Sequence, residues 1–298
     1  MKNETNDRNQ ANKLLTRLDR LNDRLEIPYS RSKAEVWAAM EARLEPKAPV
    51  KTIKLVHRPV FRLAMAASVL LMVGLIGLMR FYSVDMTTSP GQQLVVDLPD
   101  GSSVHLSAVS TVSYHPYWWR FARELDLEGE AFFEVEPGSR FTVSSTMGAT
   151  SVLGTRFNVY ARGESYRVAC QTGKVKVVGQ QNGSEVILTA NEKAALKAGN
   201  GFEVQRGINF EAEAAWINDE FDFKNKPLVE VLEEVERQYG VHIQGKDVLN
   251  DGTYDASISG RLVRSELNTE SILEMICTIY NLKFEKLNSS EYRIRQNQ

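Results

Sequence analysis

The chain has 298 residues, of which 43% are hydrophobic and 25% are charged, a composition that excludes an extensively disordered protein. Its net charge of −2 hides an asymmetry, because residues 1–62 hold 14 Lys and Arg against 8 Asp and Glu, so that the remainder is acidic. A basic leader can contact nucleic acid, but the apolar stretch that follows this one favours a membrane, and no direct nucleic-acid contact is predicted.

A leucine stripe is the first feature along the chain. Four leucines recur at spacings of four, three and four residues, which places them on one face of a helix. They are Leu14, Leu18, Leu21 and Leu25. A second short helix is predicted to begin near Ser32, with Trp37 in its apolar set. Two helices of this size cannot bury a core of their own, so residues 1–58 are expected to bind a partner protein; a self-packed hairpin and a homodimer seam are the alternatives.

The most apolar stretch runs from Leu63 to Met79 and holds 17 residues without a charge. As a helix it is about 26 Å long, close to the hydrocarbon thickness of a bilayer, and its apolar flanks extend it to 60–82. We therefore predict one transmembrane helix, and a buried core helix is the alternative. The residues expected within the membrane include Leu63, Leu70, Leu71, Leu78 and Met79. A cleaved signal peptide would begin much nearer the first residue.

Flanking charge predicts the orientation of this helix. Five basic residues and no acidic one lie between Glu45 and Leu63, whereas Arg80 is soon followed by Asp85. Because positive charge stays in the cytoplasm, we expect a single-pass protein of the inner membrane with its N-terminus inside. The bulk of the chain would then lie outside, in the periplasm of a diderm bacterium.

Residues 87–207 have the pattern of many short strands, with alternating apolar positions broken by turn residues. An all-β domain is predicted, built as a sandwich or roll of antiparallel strands. Its clearest hairpin turns at Pro99-Asp100-Gly101, where Pro and Gly supply the turn dihedrals. Acidic residues alternate with apolar ones further along, which is typical of the solvent-facing side of a strand. These residues are Glu128, Glu130, Glu134 and Glu136.

Residues 216–298 change to a mixed pattern of helices and strands. The order β-α-β-β-α-β-β is predicted, as one small sheet with two helices on one face. The expected architecture is therefore multidomain: a short α-helical head, one transmembrane helix, an all-β middle domain and a small α+β C-terminal domain.

No constellation of catalytic or metal-binding residues stands out in the sequence. The four histidines are not spaced like metal ligands, and no nucleophile or phosphate-loop motif is present. Cys170 and Cys277 lie among apolar neighbours, which favours two buried free thiols over a disulfide. The sequence predicts a protein that is not an enzyme and needs no cofactor or metal.

Four segments of the outer region hold a set of motif residues, namely Leu98, Pro99, Asp100, Gly101, Gly129, Glu130, Phe133, Leu153, Gly154, Thr155 and Phe157. In order and spacing these segments resemble the FecR family of membrane-bound sigma-factor regulators. The part from Phe221 to Arg295 resembles the small domain that often follows FecR domains, which is similar to the signalling domains of TonB-dependent receptors. The loop Tyr114–Arg123 is richer in aromatic residues than the family pattern, and its role is open.

The resemblance implies a transmembrane anti-sigma factor. In that role the head holds an extracytoplasmic-function sigma factor, through Leu14, Leu18, Leu21, Leu25 and Trp37. The outer domains contact the signalling domain of a ligand-loaded TonB-dependent receptor in the outer membrane. That contact, often followed by proteolysis, frees the sigma factor.

A membrane-anchored carbohydrate-binding protein or enzyme is the alternative function. It predicts a concave site with convergent carboxylates or stacked aromatic rings near Trp118 and Trp119.

Overall fold

The computed structural model describes residues 4–22, 31–44, 59–180, 183–197, 201–249 and 255–296. The chain divides into two compact units, residues 1–67 and 68–298. Helix α3 crosses the boundary between them.

The first unit contains two helices before α3, namely α1 (Glu4–Asn22) and α2 (Lys33–Arg43). Helix α2 begins where the sequence predicts, because Ser32 and Glu35 form a reciprocal capping box at its first turn. The Ser32 hydroxyl accepts from the Glu35 amide, and the Glu35 carboxylate accepts from the Ser32 amide. Leu25 lies outside the described residues.

Helix α3 (Pro59–Phe81) contains the predicted membrane segment. Its stretch Phe61–Phe81 has a mean hydropathy of 2.1 and no buried residues, so it is long and apolar enough to cross a bilayer. Leu70 and Leu71 are each more than 70% exposed. A core helix of a soluble protein would be buried, so this exposure argues against the alternative.

Thirteen strands form the β domain. They are β1 (Val84–Thr87), β2 (Leu94–Asp97), β3 (Ser103–Leu106), β4 (Thr111–Tyr114), β5 (Arg123–Glu134), β6 (Phe141–Ser144), β7 (Gly148–Val152), β8 (Arg156–Arg162), β9 (Ser165–Thr172), β10 (Lys174–Gly179), β11 (Glu185–Thr189), β12 (Glu192–Lys197) and β13 (Gly201–Arg206). The predicted all-β fold is confirmed, and its clearest hairpin is β2–β3.

The long strand β5 joins the two halves of the sheet. Its first half pairs with β4 and β6, and its second half, from Gly129 onward, pairs with β3 and β8. The two halves enclose a common apolar core in which the rings of Phe133 and Phe157 stack at 5.0 Å. The expectation of purely antiparallel strands is wrong at one place, because β6 runs parallel to β5.

The C-terminal part follows a short helix, α4 (Phe210–Glu213), and a 3₁₀ turn, Ala215–Asn218. Its elements are β14 (Glu220–Pro227), α5 (Leu228–Tyr239), β15 (His242–Gln244), β16 (Asp255–Val263), α6 (Thr269–Ile279), β17 (Leu282–Lys286) and β18 (Glu291–Gln296). The predicted order of elements is confirmed. The expectation of one sheet is wrong, because β14 pairs with β16 while β15, β18 and β17 form a separate sheet.

The two small sheets pack against one common apolar core. They therefore do not need hydrogen bonds between them to form one domain. Phe221 and Phe223 from β14 and Ile294 from β18 belong to the same buried cluster, together with the apolar faces of α5 and α6. Because each sheet buries its apolar face there, the domain closes without a continuous ladder.

Candidate functional site

The first family motif builds a capped turn. The Asp100 carboxylate accepts from the Ser102 amide at 3.2 Å and from the Ser102 hydroxyl at 2.8 Å, while Gly101 takes a φ of 85°. Arg123 donates to the same carboxylate at 2.6 Å and also to two backbone carbonyls, those of Glu136 and Ser139. Burial alone would raise the pKa of Asp100, but the hydrogen bonds from Arg123 and Ser102 lower it below its ordinary value of 3.8.

The motif glycines allow close contacts with neighbouring segments of the chain. Gly129 has a φ of 110°, and a β-carbon there would lie 2.5 Å from the Ser110 hydroxyl oxygen. A β-carbon on Gly154 would lie 2.8 Å from the Pro137 α-carbon. Side chains at these positions would force strands apart, so both residues serve the fold.

Most of the remaining motif residues also serve the fold. Phe133 and Phe157 are fully buried in the β core, and the Thr155 hydroxyl donates to the Lys174 carbonyl at 3.2 Å. Leu153, by contrast, is 65% exposed.

Glu130 differs from the rest of the motif because it is a buried acid with one partner outside the β domain. Its carboxylate accepts from the Asn158 amide at 2.9 Å and from the Trp216 indole N–H at 3.0 Å. The expectation that Glu130 faces solvent is therefore wrong, although its neighbour Glu128 is exposed as predicted.

A second layer of structure explains this burial. The segment around α4 covers one face of β5 and β9, where Phe132, Ala169, Phe210 and Trp216 form a separate apolar cluster. The rings of Phe132 and Phe210 lie 5.8 Å apart. Since Glu130 and Phe132 point to the same face of β5, the cover that buries the phenylalanine also buries the carboxylate.

Charged side chains continue this contact to helix α5. Arg167 on β9 donates to Glu230 at 2.9 Å, and its guanidinium lies 4.0 Å from the Tyr160 ring centroid. On α5 itself, Arg237 donates to Glu234 at 2.9 Å. Strand β9 therefore meets the C-terminal domain through the hydrogen-bonded ion pair of Arg167 and Glu230.

Two acids in this contact, the buried Glu130 and the partly buried Glu234, have pKa values shifted in opposite directions. Burial, reinforced by the negative charge of Glu234, raises the pKa of Glu130 above its ordinary value of 4.5. Burial would also raise the pKa of Glu234, but attraction to Arg237 and hydrogen bonds from Gln238 and Arg237 lower it. At Glu234 the attraction to Arg237 and the hydrogen bonds thus outweigh burial, whereas at Glu130 the Asn158 hydrogen bond and the positive charges of Arg162 and Lys226 offset burial only in part.

The segment before β2 completes the contact. The Gln93 amide donates to the Trp216 carbonyl at 2.9 Å, and the Gly91 N–H donates to the Arg237 carbonyl at 2.8 Å. The C-terminal domain is thus held by residues far apart in sequence. We call this contact the junction: the residues of the β domain and of segment 210–239 that meet around Glu130 and Trp216.

A cleft of about 450 Å³ opens beside the junction. Its lining residues include Glu130, Asn158, Arg167, Trp216, Glu230 and Arg237. The arrangement holds no group of three or more His, Cys, Asp or Glu side chains that could bind a metal, within the part of the chain that the structure describes. Because residues of both the β domain and the C-terminal domain form the junction, it can couple the position of one domain to that of the other.

Four of the five residues predicted to bind a partner are described by the structure, and all four are exposed. Leu14 and Leu18 are each 60% exposed and Leu21 is 57% exposed on α1, while Trp37 is 69% exposed on α2. Helix α2 has no buried residue. This exposure argues against a self-packed hairpin among residues 4–22 and 31–44, because a hairpin would bury these side chains.

Of the two tryptophans near which a carbohydrate site was predicted, Trp119 is not accessible to a ligand. Trp119 is only 3% exposed, and its ring meets Tyr114 and Phe141 edge-on in the β core.

Cys170 and Cys277 are buried free thiols, as predicted, and burial raises the pKa of each to about 11.

No motif or spacing in the sequence predicted a role for the junction residues Asn158, Trp216 and Arg237. One signal was present: Phe132 and Phe133 are adjacent in a strand, so they point to opposite faces and both faces must be covered. No comparable signal identified Arg123, whose three acceptors come together only in the folded chain.

The chain matches known protein families separately in its β domain and in its C-terminal domain. The model of the FecR protein family matches residues 84–176, and that of the FecR C-terminal domain matches residues 220–294. No curated protein gave a match.

Two crystal structures of a candidate anti-sigma factor from Parabacteroides distasonis ATCC 8503 share this fold, each with a TM-score of 0.63. One is 25% identical and covers 73% of this chain, and the other is 26% identical and covers 72%. Both crystallised chains are covered over 100% of their length. The two family matches cover more than half of the sequence in the expected order, and the solved structures share their arrangement. The chain therefore belongs to the FecR family.

Proposed function

We propose that this chain is a single-pass anti-sigma factor of the inner membrane. Its head holds an extracytoplasmic-function sigma factor in the cytoplasm. A signal from an outer-membrane TonB-dependent receptor reaches its periplasmic domains and releases that sigma factor. The observation that carries the proposal is an exposed leucine stripe on the basic side of a membrane-length helix, in a chain of the FecR family.

The energetics of the head support a bound partner. Leu14, Leu18 and Leu21 leave more than half of each side chain exposed. Covering three such side chains stabilises a complex by roughly 4 to 9 kcal/mol before entropic costs. Trp37 adds a large ring of the kind that anchors protein interfaces. A helix pair with this much exposed apolar surface is suited to ordering on a partner rather than by itself.

The charge around α3 supports the orientation. The basic residues that precede Leu63 favour the cytoplasm, which would place the head beside a sigma factor and the β domain beside the outer membrane. In this arrangement, Leu70, Leu71 and Leu78 face lipid.

The periplasmic side supports a protein signal rather than a chemical reaction. The C-terminal domain has the β-α-β-β-α-β-β order that resembles the signalling domains of the receptors, and the charged junction connects it to the β domain. A receptor domain that binds one side of the junction would alter the contacts of the other, which gives the signal a route toward α3.

The test uses the full chain, expressed in a bacterium with each extracytoplasmic-function sigma factor of the source organism in turn. Replacing Leu18 and Leu21 by Asp should abolish co-purification of the cognate sigma factor, because two buried charges cost more than the interface gains. The matched control replaces Asn12 and Thr16 by Asp, which adds the same charge to the opposite face of α1. The control should retain binding. Full binding by the leucine double variant would overturn the assignment of the site.

A further inference from the structure

The loop between β4 and β5 presents aromatic rings that the core does not use. We call residues 115–122 the aromatic loop. Tyr117 is 57% exposed and Phe121 is 70% exposed, while Trp118 is half-buried beside Phe121, with ring centroids 4.7 Å apart. Rings of this size rarely stay in water without a partner surface.

The loop is fixed to the β domain by its middle residue. Trp119 is buried, and its ring meets Tyr114 and Phe141 edge-on, each at 5.7 Å. Because adjacent side chains project in different directions, burying Trp119 holds its neighbours outward. The exposed rings are thus part of a positioned surface.

The aromatic loop touches the last residues of α3. The rings of Tyr117 and Tyr82 lie 5.3 Å apart, and His115 Nδ1 donates to the Tyr82 carbonyl at 2.9 Å. The Arg80 guanidinium lies 5.6 Å from the Trp118 ring centroid. The loop therefore lies beside the point where the apolar stretch ends at Phe81.

Depth in the membrane follows from these contacts, given the span proposed above. If α3 crosses the bilayer, Arg80 and Tyr82 lie where hydrocarbon gives way to lipid head groups. Side chains that touch them lie at the same depth. Trp and Tyr concentrate in this zone because their rings have an apolar body and a polar edge, and Arg extends toward the phosphates.

We propose that the aromatic loop docks into the head-group region of the outer leaflet of the inner membrane, with Tyr117, Trp118 and Phe121 inserted among the lipids. Phe81, which is 78% exposed and lies between Arg80 and Tyr82, adds an apolar ring at the same depth. In this proposal the lipid bilayer contacts the β domain as well as surrounding helix α3. Docking fixes the orientation of the domain against the bilayer, so a rotation imposed on the domain is transmitted to α3.

The test is fluorescence quenching by brominated lipids. The full chain is reconstituted in phosphatidylethanolamine–phosphatidylglycerol vesicles containing phosphatidylcholine brominated on shallow acyl carbons, in a Trp37→Phe background. Trp119 and Trp216 are 3% and 8% exposed and contribute little quenching. Shallow bromines should quench part of the emission, and Trp118→Phe should remove that quenched part. Adding Phe121→Trp to this variant should restore it.

A second tryptophan separates this proposal from the membrane span itself. Leu70→Trp, made with Trp37 and Trp118 both replaced by Phe, should be quenched by bromines on deep acyl carbons. If Leu70→Trp is quenched but Trp118 and Phe121→Trp are not, the span stands and the docking loop is wrong, as it would be if a protein covered the rings. If none is quenched, the span fails and the docking proposal fails with it.

Discussion

Glu130 shows how one residue of a family motif can serve a different purpose from its neighbours. The glycines and phenylalanines around it build the sheet, whereas its carboxylate accepts from the Asn158 amide within the β domain and from the Trp216 indole across the junction. A buried carboxylate with a raised pKa is costly to retain. Its cost is offset only while both donors remain in place, so the junction is sensitive to displacement of Trp216.

The Glu130–Trp216 hydrogen bond is tested by a double-mutant cycle with Glu130→Ala and Trp216→Phe. Each single change should destabilise the junction by about 1–3 kcal/mol, because it leaves a buried polar group without its partner. The two effects should not add. Urea unfolding of the detergent-solubilised chain, followed by near-ultraviolet circular dichroism, measures both. Glu128→Ala on the exposed side of β5 is the control, and strictly additive effects would contradict the role of the bond.

Asp100 gives a second prediction at this scale, on pH. Its pKa lies below 3.8 in the folded chain, so its contribution to stability is present above that value and is lost as the pH falls through the folded pKa. Asp100→Asn should therefore lower the thermal midpoint at neutral pH, and the difference from the parent chain should shrink in acid. Asp97→Asn, at an exposed position, is the control. A difference that stays constant with pH would exclude the ion pair with Arg123 as its source.

At the scale of elements, strand β5 determines the shape of the β domain. It changes partners at Gly129, so that one continuous strand belongs to both halves of the sheet. The Ser110 hydroxyl sits against this point, accepting from the Glu130 N–H at 3.0 Å. The bend thus also positions the first residue of the junction.

Gly129→Ala should destabilise the β domain by about 2–4 kcal/mol, because the new methyl group overlaps Ser110 and the backbone keeps a φ of 110°. Gly163→Ala is the matched control. It also has a positive φ, 53°, but no atom lies within 4 Å of the new methyl group. That substitution should cost only about 1–2 kcal/mol. Equal losses of unfolding free energy would show that steric overlap at Gly129 is unimportant.

The sequence carries enough local information to predict most elements. Alternation and turn residues predict the β2–β3 hairpin, and the apolar stripe that ends at Gly240 predicts α5. The capping residue Ser32 indicates the start of α2. In these cases the signal lies within a few neighbouring residues, so periodicity and capping rules suffice.

Long-range contacts could not be predicted in the same way. The burial of Glu130 depends on Trp216, which is 86 residues away, and the parallel pairing of β6 depends on how the chain crosses the domain. Strand alternation alone predicts that Glu130 faces solvent, because the sequence of β5 carries no information on which segment covers the second face of the strand. The separation of the C-terminal strands into two sheets likewise depends on packing against α5 and α6.

At the scale of the whole molecule, the proposed function requires the head and the two family domains to lie in different cellular compartments. In the proposed function, the exposed leucines of α1 and Trp37 of α2 would bind the sigma factor, and the two family domains, residues 84–176 and 220–294, would receive the signal. Helix α3 is the covalent connection between them. If both parts shared a compartment, the receptor could not signal across the membrane through this chain.

The most direct test of this account is the topology of the full chain in a bacterium with two membranes. A fluorescent protein that matures only in the cytoplasm is fused to the N-terminus, and alkaline phosphatase, active only in the periplasm, is fused to the C-terminus. The account predicts fluorescence from the first fusion and phosphatase activity from the second. Reporters that place both ends in the same compartment would contradict it.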